Sequence, residues 1–175
     1  QEGFTLSVAG QGTAFTEDHV KELLNLGITN VYLALDGDEA GVAAASKIGN
    51  IFQKNGVEVH VVKMPVGMDP DTILKEQGPL AFIELLEKAE DYLSFLIGYF
   101  SKDSDMSSPS GKNHLIQTIA TRIRSWDHPL MVHESLRKLA RLTHVPEKLV
   151  GVGDDEVKRS TYVKRSGSLS EVEVN

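Results

Sequence analysis

The stretch VYLALDGDEAGVAAA, residues 31–45, sets how the rest of the chain is read. Val31 to Leu35 is a nearly continuous apolar run, as expected of a strand buried on both faces. Asp36 and Asp38 follow it with Gly37 between them, which lets the backbone turn tightly. The period then changes. Ala40, Ala44, Ile48, Ile51 and Phe52 recur at helical spacing, and Gly56 closes that helix. In an open parallel sheet, ligands bind beyond the carboxyl ends of the strands, so this acidic pair stands where a site belongs. Two carboxylates two residues apart face the same way while the chain is extended. Clustered like charges are costly unless a cation neutralises them. A hard divalent ion does so through oxygen ligands, and Mg²⁺ takes one or two carboxylates plus waters and phosphate oxygens.

Upstream of that stretch, Thr5 to Ala9 (TLSVA) reads as a short strand followed by the loop Gly10-Gln11-Gly12-Thr13. Thr16 caps a helix whose apolar stripe is Val20, Leu23 and Leu24 and which ends at Gly27. Downstream, Val57 to Val62 forms a third strand, and Pro65 and Gly67 break the chain. Asp69 then caps a short helix with Pro70 at its first position. Gly78-Pro79 separates it from a further helix running roughly from Leu80 to Phe100. Strands alternating with helices of this length predict an α/β fold with a small parallel sheet, right-handed crossovers and flanking helices. Three polar elements then fall on strand ends: Gly12-Thr13, Asp36-Gly37-Asp38 and Asp69-Pro70-Asp71. Taken singly, each has a plainer reading. Asp38 and Asp69 can cap helices, and Gly12-Thr13 can be an ordinary turn. Taken together they predict a site at which Asp36, Asp38, Asp69 and Asp71 hold Mg²⁺ or Mn²⁺. Gly12 and Thr13 would form a nucleotide or phosphate loop, and paired ions would serve phosphoryl transfer.

The 175 residues include no cysteine, which excludes a disulfide framework and a cysteine-based zinc site and is compatible with a reducing cytoplasm. No apolar run approaches the ~18 residues of a membrane span, so no membrane partner is expected. The net charge of −7 is unevenly placed. Residues 1–71 hold 4 Lys/Arg against 10 Asp/Glu, and residues 111–165 hold 11 against 6. That asymmetry suggests an anionic partner for the second half, with Arg122, Arg124, Arg137, Lys138 and Arg141 as candidate nucleic-acid contacts. Ser101 to Gly111 is polar and reads as a linker. Asn113 to Arg124 and Val132 to Thr143 read as helices around an Asp127-His128-Pro129 turn, and Val145 to Val150 as a third, short one. The expected organisation is an α/β unit over 1–100, a linker over 101–111, an α-helical subdomain over 112–150 and a disordered tail over 151–175. The six histidines are scattered without zinc-helix spacing, and Trp126 reads as a packing anchor.

The segments VAGQGTAFTEDHVKELL (8–24), VYLALDGDEAGVAAA (31–45) and MPVGMDPDTILKEQG (64–78), in that order, resemble the Toprim domain of bacterial replicative DNA primases. AFIELLEKAEDYLSFL (81–96) and the helices up to about Val150 resemble the helical part downstream of Toprim in primase catalytic cores. The resemblance implies part of an RNA polymerase core that makes short RNA primers from NTPs on single-stranded DNA. It assigns catalytic roles to Asp36 and Asp38 and metal ligation to these two with Asp69 and Asp71. Four features depart from the family pattern. The family's glutamate, in an E-G-x-x-D context, is not matched by Glu2-Gly3, whose spacing to Gly12 is wrong, and is expected upstream of Gln1. The family's zinc-binding domain has no counterpart, and the replicative helicase would be met through a region absent here. Val42 stands where a polar or basic residue is expected. The chain alone is therefore expected to make no primer. Two other classes remain open. One is a Toprim nuclease, a haloacid-dehalogenase-like phosphatase or another metal-dependent phosphotransfer enzyme; the phosphatase needs a distant lysine, and Lys63 is the nearest at a strand end, although no lysine stands in a recognisable motif. The other is a non-catalytic nucleic-acid-binding module.

Overall fold

The structure, a computed structural model, describes residues 15–153. The strand expected over Thr5–Ala9, the Gly12-Thr13 loop and the tail from residue 154 lie outside the described residues. Helix α1 (Glu17–Asn25) is capped by Thr16, as its sequence predicts, and buries Val20. Strand β1 (Asn30–Ala34) and strand β2 (Glu58–Val62) pair in parallel, Val31 opposite Val59 and Leu33 opposite Val61. Helix α2 (Glu39–Lys54) makes the crossover between them. Helix α3 (Pro70–Gln77) starts at its predicted proline and packs on helix α4 (Pro79–Glu87) around Ile73 and Phe82.

Two expectations are corrected by these elements. The helix predicted over Leu80–Phe100 is two helices, α4 and α5 (Tyr92–Ser101), parted by a two-residue strand β3 (Glu90–Asp91). The cause is Asp91. Its Oδ1 accepts the Leu93 and Ser94 N–H groups at 3.1 and 3.2 Å, and its Oδ2 accepts the Ser94 hydroxyl at 2.6 Å. Such a cap needs extended backbone, here φ −63° and ψ 152°, so the residue cannot lie inside a helix. β3 pairs antiparallel with β2, His60 opposite Asp91, which makes the sheet mixed where a parallel one was expected.

The polar connection is also shorter than its composition suggests. Helix α6 (Pro109–Arg124) begins at a proline in its first turn, and the Ser108 hydroxyl accepts the Gly111 N–H at 3.0 Å. Helix α7 (Pro129–Thr143) likewise starts at its proline, ahead of Val132. It ends at His144, whose φ of 54° is left-handed. A short 3-10 helix, Glu147–Val150, comes next.

One apolar cluster runs through both halves. Val20, Phe52, Val59 and Val61 from the α/β part join Leu93, Leu96, Leu115, Ile119, Ile123 and Leu139 from the helical part. Burying each large aliphatic side chain contributes about 1.5–3 kcal/mol relative to leaving it exposed, so this shared core ties α5 and α6 to the sheet. Among the described residues, no helix is long and apolar enough to cross a membrane.

Candidate active site

β1 delivers its chain to Asp36 at the carboxyl end of the parallel pair, and β2 delivers its own to the loop ahead of Asp69. Two glycines explain the DGDxxG spacing. A Cβ at Gly37 would collide with the Pro65 carbonyl oxygen, and the Gly37 N–H donates to the Met68 carbonyl at 3.0 Å. A Cβ at Gly41 would collide with the carbonyl oxygen of Asp36. The Met68 N–H closes the turn by donating to the Pro65 carbonyl at 3.1 Å, with Gly67 at φ +75° where a side chain would be strained. The sequence thus folds the two acidic loops against each other because glycine removes the side chains that would hold them apart.

The aspartates have distinct local duties. Asp38 caps α2, its Oδ1 accepting the Gly41 N–H at 2.7 Å. Asp69 caps α3 by accepting the Thr72 N–H at 2.6 Å. The Thr72 backbone N–H, aided by its hydroxyl, holds the Asp69 carboxyl below the usual carboxylate range. Asp71 is ion-paired with Lys75 one turn further on. Asp36 is exposed, and its carboxylate has no partner among the described residues. The plainer reading of Asp38 and Asp69 as helix caps therefore holds, and capping leaves each its second carboxylate oxygen. No three histidine or carboxylate side chains among the described residues form a group that could hold a metal ion. Asp36 and Asp38 still fit the donor set of Mg²⁺, which takes one or two carboxylates and completes its shell with water and phosphate oxygens.

The basic residues of the helical part are mostly committed within the fold. Arg122 donates to Ser46, its Nη1 lying 2.7 Å from Oγ and 3.2 Å from the carbonyl oxygen. Arg124 donates to the Val150 carbonyl. Arg137 pairs with Glu134 and Glu147, and Lys138 with Asp91 at 2.9 Å. Of the five, Arg141 alone has no polar partner among the described residues, and it lines a cavity of about 500 Å³ with Lys138, His128 and Met131. Lys63 is ion-paired with Glu90 at the edge of the sheet. Sequence reading missed Asp91 and Ser46. The Asp91-to-Ser94 spacing is a helix-start signal, but it sits inside an apolar run that reads as one continuous helix.

A family pattern described as Toprim-like matches residues 1–74, and one described as the DnaB-helicase binding domain of primase matches residues 93–148. The DNA primase of Chlamydia muridarum is 43% identical over 162 residues, covering 93% of this chain and 27% of that protein. A crystal structure of a DNA primase domain from Pseudomonas aeruginosa matches with a TM-score of 0.75 at 25% identity, over 86% of this chain and 48% of that one. A DnaG primase catalytic domain bound to single-stranded DNA matches with a TM-score of 0.63 at 28% identity, over 74% of this chain and 43% of that one. Fold and acidic loops together define a Toprim-like protein with an adjoining helical part. Within that class, the chain belongs to the bacterial DNA primases of the DnaG type. It spans about a quarter of the length of the curated relatives it matches. One expectation is corrected by these matches. The helicase-binding description falls on residues 93–148, from α5 to the 3-10 helix, and not on a region absent from the chain.

Proposed function

We propose that this chain forms the Toprim and adjoining helical part of a primase polymerase core, which makes short RNA primers from NTPs on single-stranded DNA. The observation that carries this reading is the contact of the two acidic loops through Gly37, Pro65 and Met68. Asp36 and Asp38 would hold Mg²⁺ (or Mn²⁺), with Asp69 and Asp71 across the mouth. A bound divalent ion supplies charge neutralisation at phosphate oxygens and orients them for transfer. The chain's own residues do the rest. Asp38 keeps the loop on the α2 N-terminus, Gly37 holds it against the second loop, and Asp36 presents an unpaired carboxylate. The match of residues 93–148 to a helicase-binding domain supports a replicative helicase as partner of the helical part. Arg141 is the cation best placed to meet the DNA template, since Arg122, Arg124, Arg137 and Lys138 are bonded or paired within the fold.

Mn²⁺ titration followed by paramagnetic broadening of amide signals tests the site. Broadening centred on Asp36 to Gly41, abolished in the double variant Asp36→Ala, Asp38→Ala, is expected. Broadening that is centred elsewhere, or that persists in the double variant, contradicts the assignment.

A further inference from the structure

α2 carries the acidic loop at its N-terminus and a polar seam along its second half. Ser46, Gly49, Asn50 and Gln53 recur at spacings of three and four, so they share one face of the helix. Each of the first three meets a group from the helical part. The Tyr92 hydroxyl donates to the Ser46 carbonyl at 2.5 Å. Gly49 is bare because the Tyr92 ring occupies the place of its Cβ. The Trp126 indole N–H donates to Asn50 Oδ1 at 2.9 Å. Arg122 joins the set. Its Nη1 reaches Ser46 Oγ and carbonyl, lies 3.4 Å from the Tyr92 hydroxyl, and its guanidinium stands 5.1 Å from the Phe100 ring centre. The Asp127 N–H adds a bond to the Lys54 carbonyl at the end of the helix. Ser46 and Gln53 are two of the three buried polar residues described, so the seam is an interior contact and not a solvated face.

Apolar packing resists separation but tolerates sliding, whereas buried hydrogen bonds hold only at one register. The seam therefore sets where α2 sits along α5 and α6. An α-helix rises 1.5 Å per residue and behaves as a short rod, so Ser46 lies only about 10 Å from the helix start. Fixing Ser46 fixes Asp38, whose backbone carbonyl and side chain are bonded into the first turn at Val42 and Gly41.

We propose that Arg122 is a positioning residue that, through Ser46 and α2, holds the Asp36–Asp38 loop in place relative to the helical part. Its functional meaning rests on the assignment of Asp36 and Asp38 as metal ligands, and it would make the helical part a determinant of the loop's geometry. The test needs neither metal nor nucleotide, so its failure is separable from failure of the Mn²⁺ test. Amide hydrogen exchange is followed by NMR in the 175-residue chain. Arg122→Met is expected to speed exchange at Gly37 and Gly41 about 10-fold, with Val59 and Val61 in β2 unchanged. Ser46→Ala, which removes only Oγ, is expected to act at the same amides about 3-fold. The two substitutions combined should add little to Arg122→Met alone, since both interrupt one path. Wild-type exchange at Gly37 and Gly41 in a folded Arg122→Met chain overturns the proposal. So does an equal rise at every amide, which marks a loss of overall stability only. If Arg122→Met does not fold, the Ser46→Ala result decides alone, and wild-type rates at Gly41 overturn it.

Discussion

At Gly37 a missing side chain leaves room for a carbonyl from another loop. The Pro65 oxygen occupies the space a Cβ would need, and that oxygen cannot retreat because it accepts the Met68 N–H at 3.1 Å. Gly37→Ala is therefore expected to destabilise the chain by about 1–3 kcal/mol, the usual range for overpacking at a rigid contact. Thermal unfolding should show a fall of several degrees, and an unchanged midpoint would mean that the two loops are not pressed together. Local chemistry predicts the helix caps at Asp38 and Asp69 from sequence, because each cap needs only its own N3 amide. It does not predict the Gly37–Pro65 contact, which joins residues of two separate loops.

The break between α4 and α5 is made by one carboxylate. Burial pushes the Asp91 carboxyl up, but the Ser94 hydroxyl, the Lys138 ammonium and the Ser94 N–H outweigh it and leave the group below its ordinary value. A carboxyl whose folded pKa is depressed adds stability above its unfolded value and loses it as pH falls through the folded one. Asp91→Asn keeps capping ability but removes the charge. It should be less stable than wild type at pH 7, and the gap should close as pH falls below about 4, near the ordinary aspartate value. Paired urea melts at several pH values would check this, and a gap that widens on acidification would reverse the sign of the argument. Asp91→Ala also loses the cap, at a cost of about 0.5–2 kcal/mol. Tyr92, next in sequence, is buried on the seam, and that burial pushes its hydroxyl up to about 12 against the pull of Arg122. It stays protonated and keeps donating to the Ser46 carbonyl through the neutral range.

Across the molecule, the α/β part and the helical part share a core despite the polar connection between them. Leu96 and Ile119 are fully buried within the cluster that also holds Val59 and Val61. Ile119→Ala is expected to cost about 2–5 kcal/mol, and it should lower the stability of the sheet as well as of α6. The single tryptophan, Trp126, reports on the contact of the helical part with α2 through Asn50, while far-UV circular dichroism reports on all elements. Their unfolding curves should coincide, as one cooperative unit requires. A tryptophan transition displaced from the dichroism curve would show two separately folding parts. The predicted linker over residues 101–111 hid this unity, since polar composition marks exposure but not whether the flanking helices meet.

The βαβ frame around Asp36, the acidic residues beyond two strand ends and the capped starts of α2 and α3 were all legible in the order of residues. They follow from hydrophobic period and capping chemistry, which act over a few neighbouring residues. The mixed sheet, the split at Asp91 and the fate of the basic residues came only with packing. Charge counting cannot tell a solvated arginine from one turned inward. Arg122 faces inward because α2 offers it a buried hydroxyl and carbonyl at Ser46, and Lys138 is taken up by the cap at Asp91. Such pairings join residues far apart in the chain, so they exist only once the elements have come together.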